Sequence, residues 1–343
     1  MSMEYVRNQP IRSSRYADCM RINGENLPES GLDSCIPAET RGAAIIAVGD
    51  VHGELEALRE ILRHAGLLGK RDRWIGGNTV LVQTGDAIDR GPKSKEAYAL
   101  LASLQSEALR TGGKVIRLLG NHELMLLQGN FCYANFEGID NFRQVLARDV
   151  LAGNVQAAFA GQGYLFTHAG VRTEIRERLL ASEARNTGTG EAEVLADRIN
   201  RVFMDAVRSG NYSDSIFHVG HSRGGPHPVG GIFWENASEI RSSAQSGGIL
   251  QVFGHTVQKQ IQISRCASLV AIDIGMHHYG GRAYLTLRKG KPFARDAASR
   301  YRGASKRTMP LKTIRELVTG AARRFGVTGG PMDALFSLTC LRF

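Results

Sequence analysis

The chain alternates short apolar runs with longer segments whose apolar positions recur at helical spacing. Ala43–Val48, Thr79–Thr84 and Lys114–Leu119 are runs of strand length that are apolar almost throughout. Such runs suit a parallel sheet covered on both faces better than a strand with one wet face. After the first run, Leu55, Leu58, Ile61 and Leu62 fall on one helical face, and Gly66, Gly69 and Trp74–Gly77 break the pattern. After the second, Ala97, Leu100, Leu101 and Leu104 place a helix over Ser94–Arg110, ended by Gly112 and Gly113. The result is a β-α-β-α-β series with right-handed crossovers. Further strands are expected at Gly163–Thr167, Leu250–Thr256 and Leu269–Gly275, with Gly280–Leu287 closing a second sheet. Val145–Phe159 and Thr173–Ser209 read as helical, the latter broken at Gly188–Gly190.

These patterns divide the chain into an irregular arm over 1–41, a folded body over 42–287 and an extension over 288–343. Within the body, about 130–162 and 173–210 read as helical insertions at the rim of a site. Charge sharpens the last boundary. Of 343 residues with a net charge of +10, the segment Arg288–Arg324 holds twelve Lys or Arg against Asp296 and Glu316, so it alone carries +10 and the body is near neutral. In the extension Leu311, Ile314, Leu317, Val318, Ala321 and Phe325 share a helical face opposite Lys312, Arg315, Arg323 and Arg324. That face would dock on the body, or the 288–324 segment would meet an acidic surface or partner. Nucleic acid is a weaker partner, because only Phe293, Tyr301 and Phe325 interleave the charges. No window approaches a membrane span. Five cysteines without CxxC spacing fit a reduced compartment, and with no apolar leader segment the expectation is a cytoplasmic protein, a secreted effector being the alternative.

Chemistry concentrates where the strands end. Three runs finish in glycine followed by a short oxygen ligand: Gly49-Asp50-Val51-His52-Gly53, Gly85-Asp86-Ala87-Ile88-Asp89-Arg90-Gly91 and Gly120-Asn121-His122-Glu123. Asp50 and Asp86 are 36 positions apart, and Asp86 and Asn121 are 35 apart, room for one crossover helix each time. Open α/β sheets place ligands at the carboxyl ends of their strands, so the three loops should converge. His168 and Gly254-His255 end two further strands. Asp50, His52, Asp86, Asn121, His168 and His255 form a mixed carboxylate, amide and imidazole set without thiolate. It suits Mn, Fe or Zn, and its size suits two ions sharing a carboxylate about 3.5–4 Å apart.

These motifs, in this order and spacing, resemble the calcineurin-like metallophosphoesterase superfamily, specifically its phosphoprotein phosphatase branch and the bacterial Shewanella-like group within it. The resemblance covers roughly Ile45–Gly275. It implies an α/β fold, a sandwich of two mixed β-sheets flanked by helices in four layers (α/β/β/α), with 42–287 as the catalytic domain. It implies a phosphomonoesterase acting on phosphoserine, phosphothreonine or phosphotyrosine in proteins by in-line attack of a hydroxide bridging two divalent ions, manganese foremost, with iron, zinc or magnesium as alternatives. Asp50 and His52 would hold one ion, Asn121, His168 and His255 the other, and Asp86 would bridge. His122 would be the general acid, Asp89 its partner, and Arg90 the phosphate fork. Gly231-Ile-Phe-Trp234 resembles the family's tryptophan turn, which makes Arg223 the candidate second arginine. Asp273-Ile-Gly275 resembles a family turn beside the site, which would either accept a hydrogen bond from a ligand histidine or be a plain turn. The residue after the tryptophan is Glu235, where many Shewanella-like members carry arginine. Dinucleoside polyphosphatases, the alternative class, usually lack the equivalents of Asp89 and Glu123; a small-molecule phosphate ester remains a further alternative, and an inert site with the basic tail as a binding module is the third. His218, His221 and His227 read as loop histidines rather than zinc ligands, and His277 and His278 likewise.

Overall fold

The computed structural model describes residues 21–22, 25–26, 43–181, 190–243, 249–265 and 268–300. In the arm, Arg21–Ile22 (β1) and Glu25–Asn26 (β2) pair antiparallel. The first compact unit ends at Ala297. The second, Ala298–Phe343, lies almost wholly outside the described residues, and so does the amphipathic segment expected over 311–325.

Ile45–Val48 (β3), Val80–Gln83 (β4) and Lys114–Leu118 (β5) are the three expected strands, and they pair in parallel in chain order. Leu55–His64 (α1) and Ser94–Leu109 (α2) cross between them. Alternate strand residues divide between two cores. Ile46, Val48, Leu81 and Val115 face α1 and α2. Ile45, Ala47, Val80, Val82 and Ile116 face the other sheet, where Phe159, Tyr164, Phe166, Val252, Val270 and Ile272 meet them.

That other sheet is Ala158–Gly161 (β7), Tyr164–Thr167 (β8), Leu250–Phe253 (β9), Gln262–Ile263 (β10) and Leu269–Ala271 (β11), in the order β10-β11-β9-β8-β7. β8, β9 and β11 are mutually parallel and the edge strands antiparallel. Its outer face is covered by Glu191–Ser209 (α6), against which Ile139–Leu151 (α4) and Thr173–Leu180 (α5) pack. Phe203 and Leu195 of α6 are buried in the same core as Leu165 and Ala158. The architecture is therefore α/β/β/α.

Three expectations change. Of the segments read as rim insertions, α6 belongs to the fourth layer, since it packs on β7 and β8. The helix expected over Val145–Phe159 stops at Leu151, and Val155–Gln156 (β6) and β7 follow as strands; Gly153, with φ of 75°, makes the break. Finally Ala283–Arg288 (β12) joins the first sheet, antiparallel to β3, and continues through a hairpin into Lys291–Asp296 (β13). The hairpin pairs six residues on each side, so the boundary drawn at 287 from charge moves to Ala297.

Candidate active site

The carboxyl ends of β3, β4 and β5 converge because glycines let them approach. A Cβ on Gly120 would stand 2.1 Å from Asp86 Oδ1, and one on Gly85, whose φ is +98°, would stand 2.5 Å from Gly120 N. Beyond these glycines the backbone is forced into conformations that side chains disfavour. His52, Asp86, Asp89, Arg90 and His255 all have positive φ, from 48° to 67°. Each such residue costs roughly 1–3 kcal/mol, strain that persists only where the surroundings impose it. Glu123 is one source of the restraint. Buried at the start of Asn121–Leu127 (α3), its carboxylate accepts from the amides of Asp86 (2.9 Å), Ala87 (2.8 Å), Ile88 (3.3 Å) and Gly120 (2.9 Å). Burial and the charge of Asp86 push its pKa up to about 7, although the amides of Gly120 and Asp86 pull it back. Val51 N and His52 N donate to Asp86 O at 3.0 and 2.8 Å, which ties the first loop to the second.

Five of the six expected ligands, His52, Asp86, Asn121, His168 and His255, bring side-chain atoms together here, and Asp50 joins them through the backbone of His255. Asp86 Oδ2 is 3.6 Å from His52 Nε2 and 3.6 Å from His168 Nε2. His168 Nε2 is 2.9 Å from Asn121 Oδ1 and 3.1 Å from His255 Nδ1. Asp50 accepts from His255 N with Oδ1 at 3.1 Å and Oδ2 at 3.2 Å. Two groups, His52-Asp86-His122 and Asp86-His168-His255, each bring their ligand atoms within 4.8 Å of one another, and Asp86 belongs to both.

The protonation pattern tests whether cations fit. His52 Nδ1 lies 3.0 Å from Ile88 O and His168 Nδ1 lies 2.9 Å from Thr84 O. A carbonyl only accepts, so each Nδ1 carries the proton and each Nε2 is a bare lone pair. Burial lowers the His52 pKa to about 3 and depresses those of His168 and His255, so all three imidazoles are neutral. His168 Nε2 thus faces the oxygen of Asn121 acceptor to acceptor, and His52 Nε2 faces a carboxylate. Meanwhile burial and the neighbouring carboxylates of Asp273 and Asp86 raise Asp50 well above its ordinary range. The bare Nε2 atoms of His52 and His168 face a carboxylate and an amide oxygen with no proton between them, an arrangement that divalent cations would satisfy. The imidazoles are oriented by backbone carbonyls. Of the two readings of Asp273, the plain turn holds: its Oδ1 accepts from Gly275 N at 2.9 Å.

Beside this cluster His122 Nδ1 is 2.8 Å from Asp89 Oδ2, and its Nε2 is 4.0 Å from Asp86 Oδ2. Burial alone would lower the His122 pKa, but Asp86 and Asp89 outweigh it and the net shift is upward. Arg90 Nη2 approaches His122 Nε2 at 3.3 Å. Arg223 also arrives: its Nη2 donates to Thr256 Oγ1 at 2.8 Å, one residue beyond His255, and Trp234 stands edge-on to His255 at 6.0 Å. His218 and His227 stack on each other at 3.6 Å in the same loop, away from the ligand groups. Sequence reasoning passed over Glu123 as a restraint, Tyr133, whose exposed ring lies 5.1 Å from that of His122, and His278, which meets Arg90. Only Glu123 had a local signal, its place three residues after the strand-end glycine.

Two mixed sheets with strand-end ligand loops define a metallophosphoesterase fold. Residues 43–259 match the family of calcineurin-like phosphoesterases, and the chain belongs to that family. Among curated relatives, "Shewanella-like protein phosphatase 2" of Arabidopsis thaliana is 43% identical over 99 residues, 29% of this chain and 25% of that protein. The "Bis(5'-nucleosyl)-tetraphosphatase, symmetrical" of Aromatoleum aromaticum is 31% identical over 162 residues, 43% of this chain and 53% of that protein. The match thus spans between a quarter and about half the length of these relatives. A solved cold-active protein-tyrosine phosphatase of a psychrophilic Shewanella species superposes with a TM-score of 0.53 at 19% identity, covering 78% of this chain and 88% of that one; that likeness speaks for the fold alone. Among the described residues no helix is long and apolar enough to cross a membrane.

Proposed function

We propose that the chain is a phosphomonoesterase that works with two divalent ions and acts on phosphoproteins, phosphotyrosine foremost. The carrying observation is the face-to-face arrangement of lone pairs around Asp86, set directly beside the His122–Asp89 pair. Asp50, His52 and Asp86 would hold one ion, and Asp86, Asn121, His168 and His255 the other. Manganese or iron suits these donors, and zinc or magnesium is compatible with them. Bound there, the ions supply Lewis acidity to phosphate oxygens and to water.

The chain's own residues do the rest. Arg90 and Arg223 offer planar forks of donors that fit phosphate oxygens. Asp89 takes the Nδ1 proton of His122 as a hydrogen bond, which fixes the ring and leaves Nε2 to deliver a proton to the leaving oxygen. A phosphoester whose leaving group emerges at His122 would lie along the exposed ring of Tyr133. An aromatic leaving group gains contact there that a serine side chain does not, which supports phosphotyrosine.

The test is hydrolysis of phosphotyrosine and phosphoserine peptides and of diadenosine tetraphosphate by manganese-loaded protein. The expected order is phosphotyrosine ahead of phosphoserine, with the dinucleotide poorest. Preference for the dinucleotide would overturn the substrate reading and favour the tetraphosphatase alternative.

A further inference from the structure

Arg90 sits on left-handed backbone, at φ of 64°, and is exposed, so its own loop does little to hold its side chain. An arginine free to sample rotamers loses that freedom when it grips a ligand, and fixing it beforehand removes the loss. Two distant segments meet it. Asn135 Nδ2 donates to Arg90 O at 3.0 Å and lies 3.3 Å from Gly91 O, securing the main chain. Arg90 Nη1 lies 2.8 Å from His278 Nε2. A guanidinium has only donors, so His278 accepts through a bare Nε2.

His278 is itself held. It belongs to Met276–Tyr279 (α8), a single turn beginning after Gly275, whose φ of 62° turns the chain away from β11. The preceding His277 places Nδ1 2.8 Å from Glu54 Oε1, in the loop that follows β3. The turn is thus tethered to the first ligand loop through one histidine and to Arg90 through the next. Partial burial, the Arg90 charge and His277 all lower the proton affinity of His278, in keeping with an imidazole that accepts.

We propose that His278 is a positioning residue for the phosphate site, holding the Arg90 fork in place through Nη1 while Nη2 stays beside His122. The assignment rests on the reading of Arg90 as a phosphate-binding residue. His278 touches neither substrate nor the reacting atoms. Its effect therefore belongs to binding, shared by ground and transition states, and should appear in KM more than in kcat.

The experiment is a double-mutant cycle on the full, manganese-loaded chain, with phosphotyrosine peptide as substrate and inorganic phosphate as competitive inhibitor. His278→Ala is expected to raise KM and the phosphate inhibition constant together by about fivefold, with kcat changed less than about twofold. His278→Gln, which keeps an acceptor of similar reach, should recover most of the loss. In an Arg90→Ala background, His278→Ala should add nothing, because contacting residues that act through one another are not additive. Equal damage by His278→Ala with Arg90 present or absent, or no rescue by Gln, would overturn the proposal and leave His278 a packing residue. So would an unchanged KM in His278→Ala where Arg90→Ala raises it. An Arg90→Ala variant with unchanged KM and phosphate inhibition would instead overturn the reading of Arg90, and the role of His278 with it.

Discussion

At the site, single atoms decide the chemistry. His122 sits between opposing influences: burial disfavours its charge, while Asp86 and Asp89 favour it, and the balance is a raised pKa. In the proposed role of general acid it must be protonated, so activity is expected to fall as pH rises through its pKa. Replacing Asp89 by Asn removes a charge that raises that pKa, and the basic limb of the pH–rate profile should move to lower pH. His122→Asn should lose about 10²–10⁴-fold in kcat, the usual worth of a positioned acid, and should lose that limb altogether. A basic limb that stays in place in Asp89→Asn would contradict the assignment of the pair. The candidate ligands were legible as residues because glycine and a short oxygen side chain recur at three strand ends and a histidine stands at two more. His278 and Tyr133 were not, because nothing local distinguishes an exposed histidine or tyrosine, and the contact of His278 with Arg90 spans 188 positions of chain.

At the scale of the elements, the parallel core strands and their crossover helices were readable because period and length are local properties. Sheet membership was not. β12 is an ordinary apolar strand, and only its pairing with β3, more than 200 residues earlier, places it in the first sheet. The amphipathic helices α4 and α6 have the same pattern whether they line a rim or cover a sheet, and the alanines of Val155–Gly161 favoured helix in a segment that pairs as strand. Where elements meet, one polar junction stands out. Arg117 of β5, only 3% exposed at its side chain, donates to Asp149 of α4 at 2.9 Å, and Tyr98 of α2 donates to the same carboxylate at 2.6 Å. Burial would raise the Asp149 pKa, but Tyr98 and Arg117 outweigh it and hold it below the ordinary value. Its contribution is thus fully present above the unfolded aspartate range and is lost as pH falls through the depressed folded value. Asp149→Ala leaves Arg117 buried without its counter-charge, and should lower stability by about 2 kcal/mol in denaturant titrations near neutral pH, the range of a charged hydrogen bond whose carboxylate is partly exposed. Because the junction lies outside the ligand groups, kcat should stay near wild type. The stability difference should shrink in acid; a difference that grows there would refute the ion-pair account.

For the molecule as a whole, the fold brings five strand ends to one place, and the strain and desolvation stored there make sense if divalent cations complete the site. The claim can be read directly. Metal-stripped protein would be titrated with manganese, following bound metal per chain by mass spectrometry of the native protein and phosphotyrosine-peptide hydrolysis in the same samples. Two ions per chain are expected, with activity absent in the stripped protein and returning as both sites fill, and fewer than two ions with no activity in Asp86→Asn. Full activity in stripped protein, or saturation at a single ion with full activity, would contradict it.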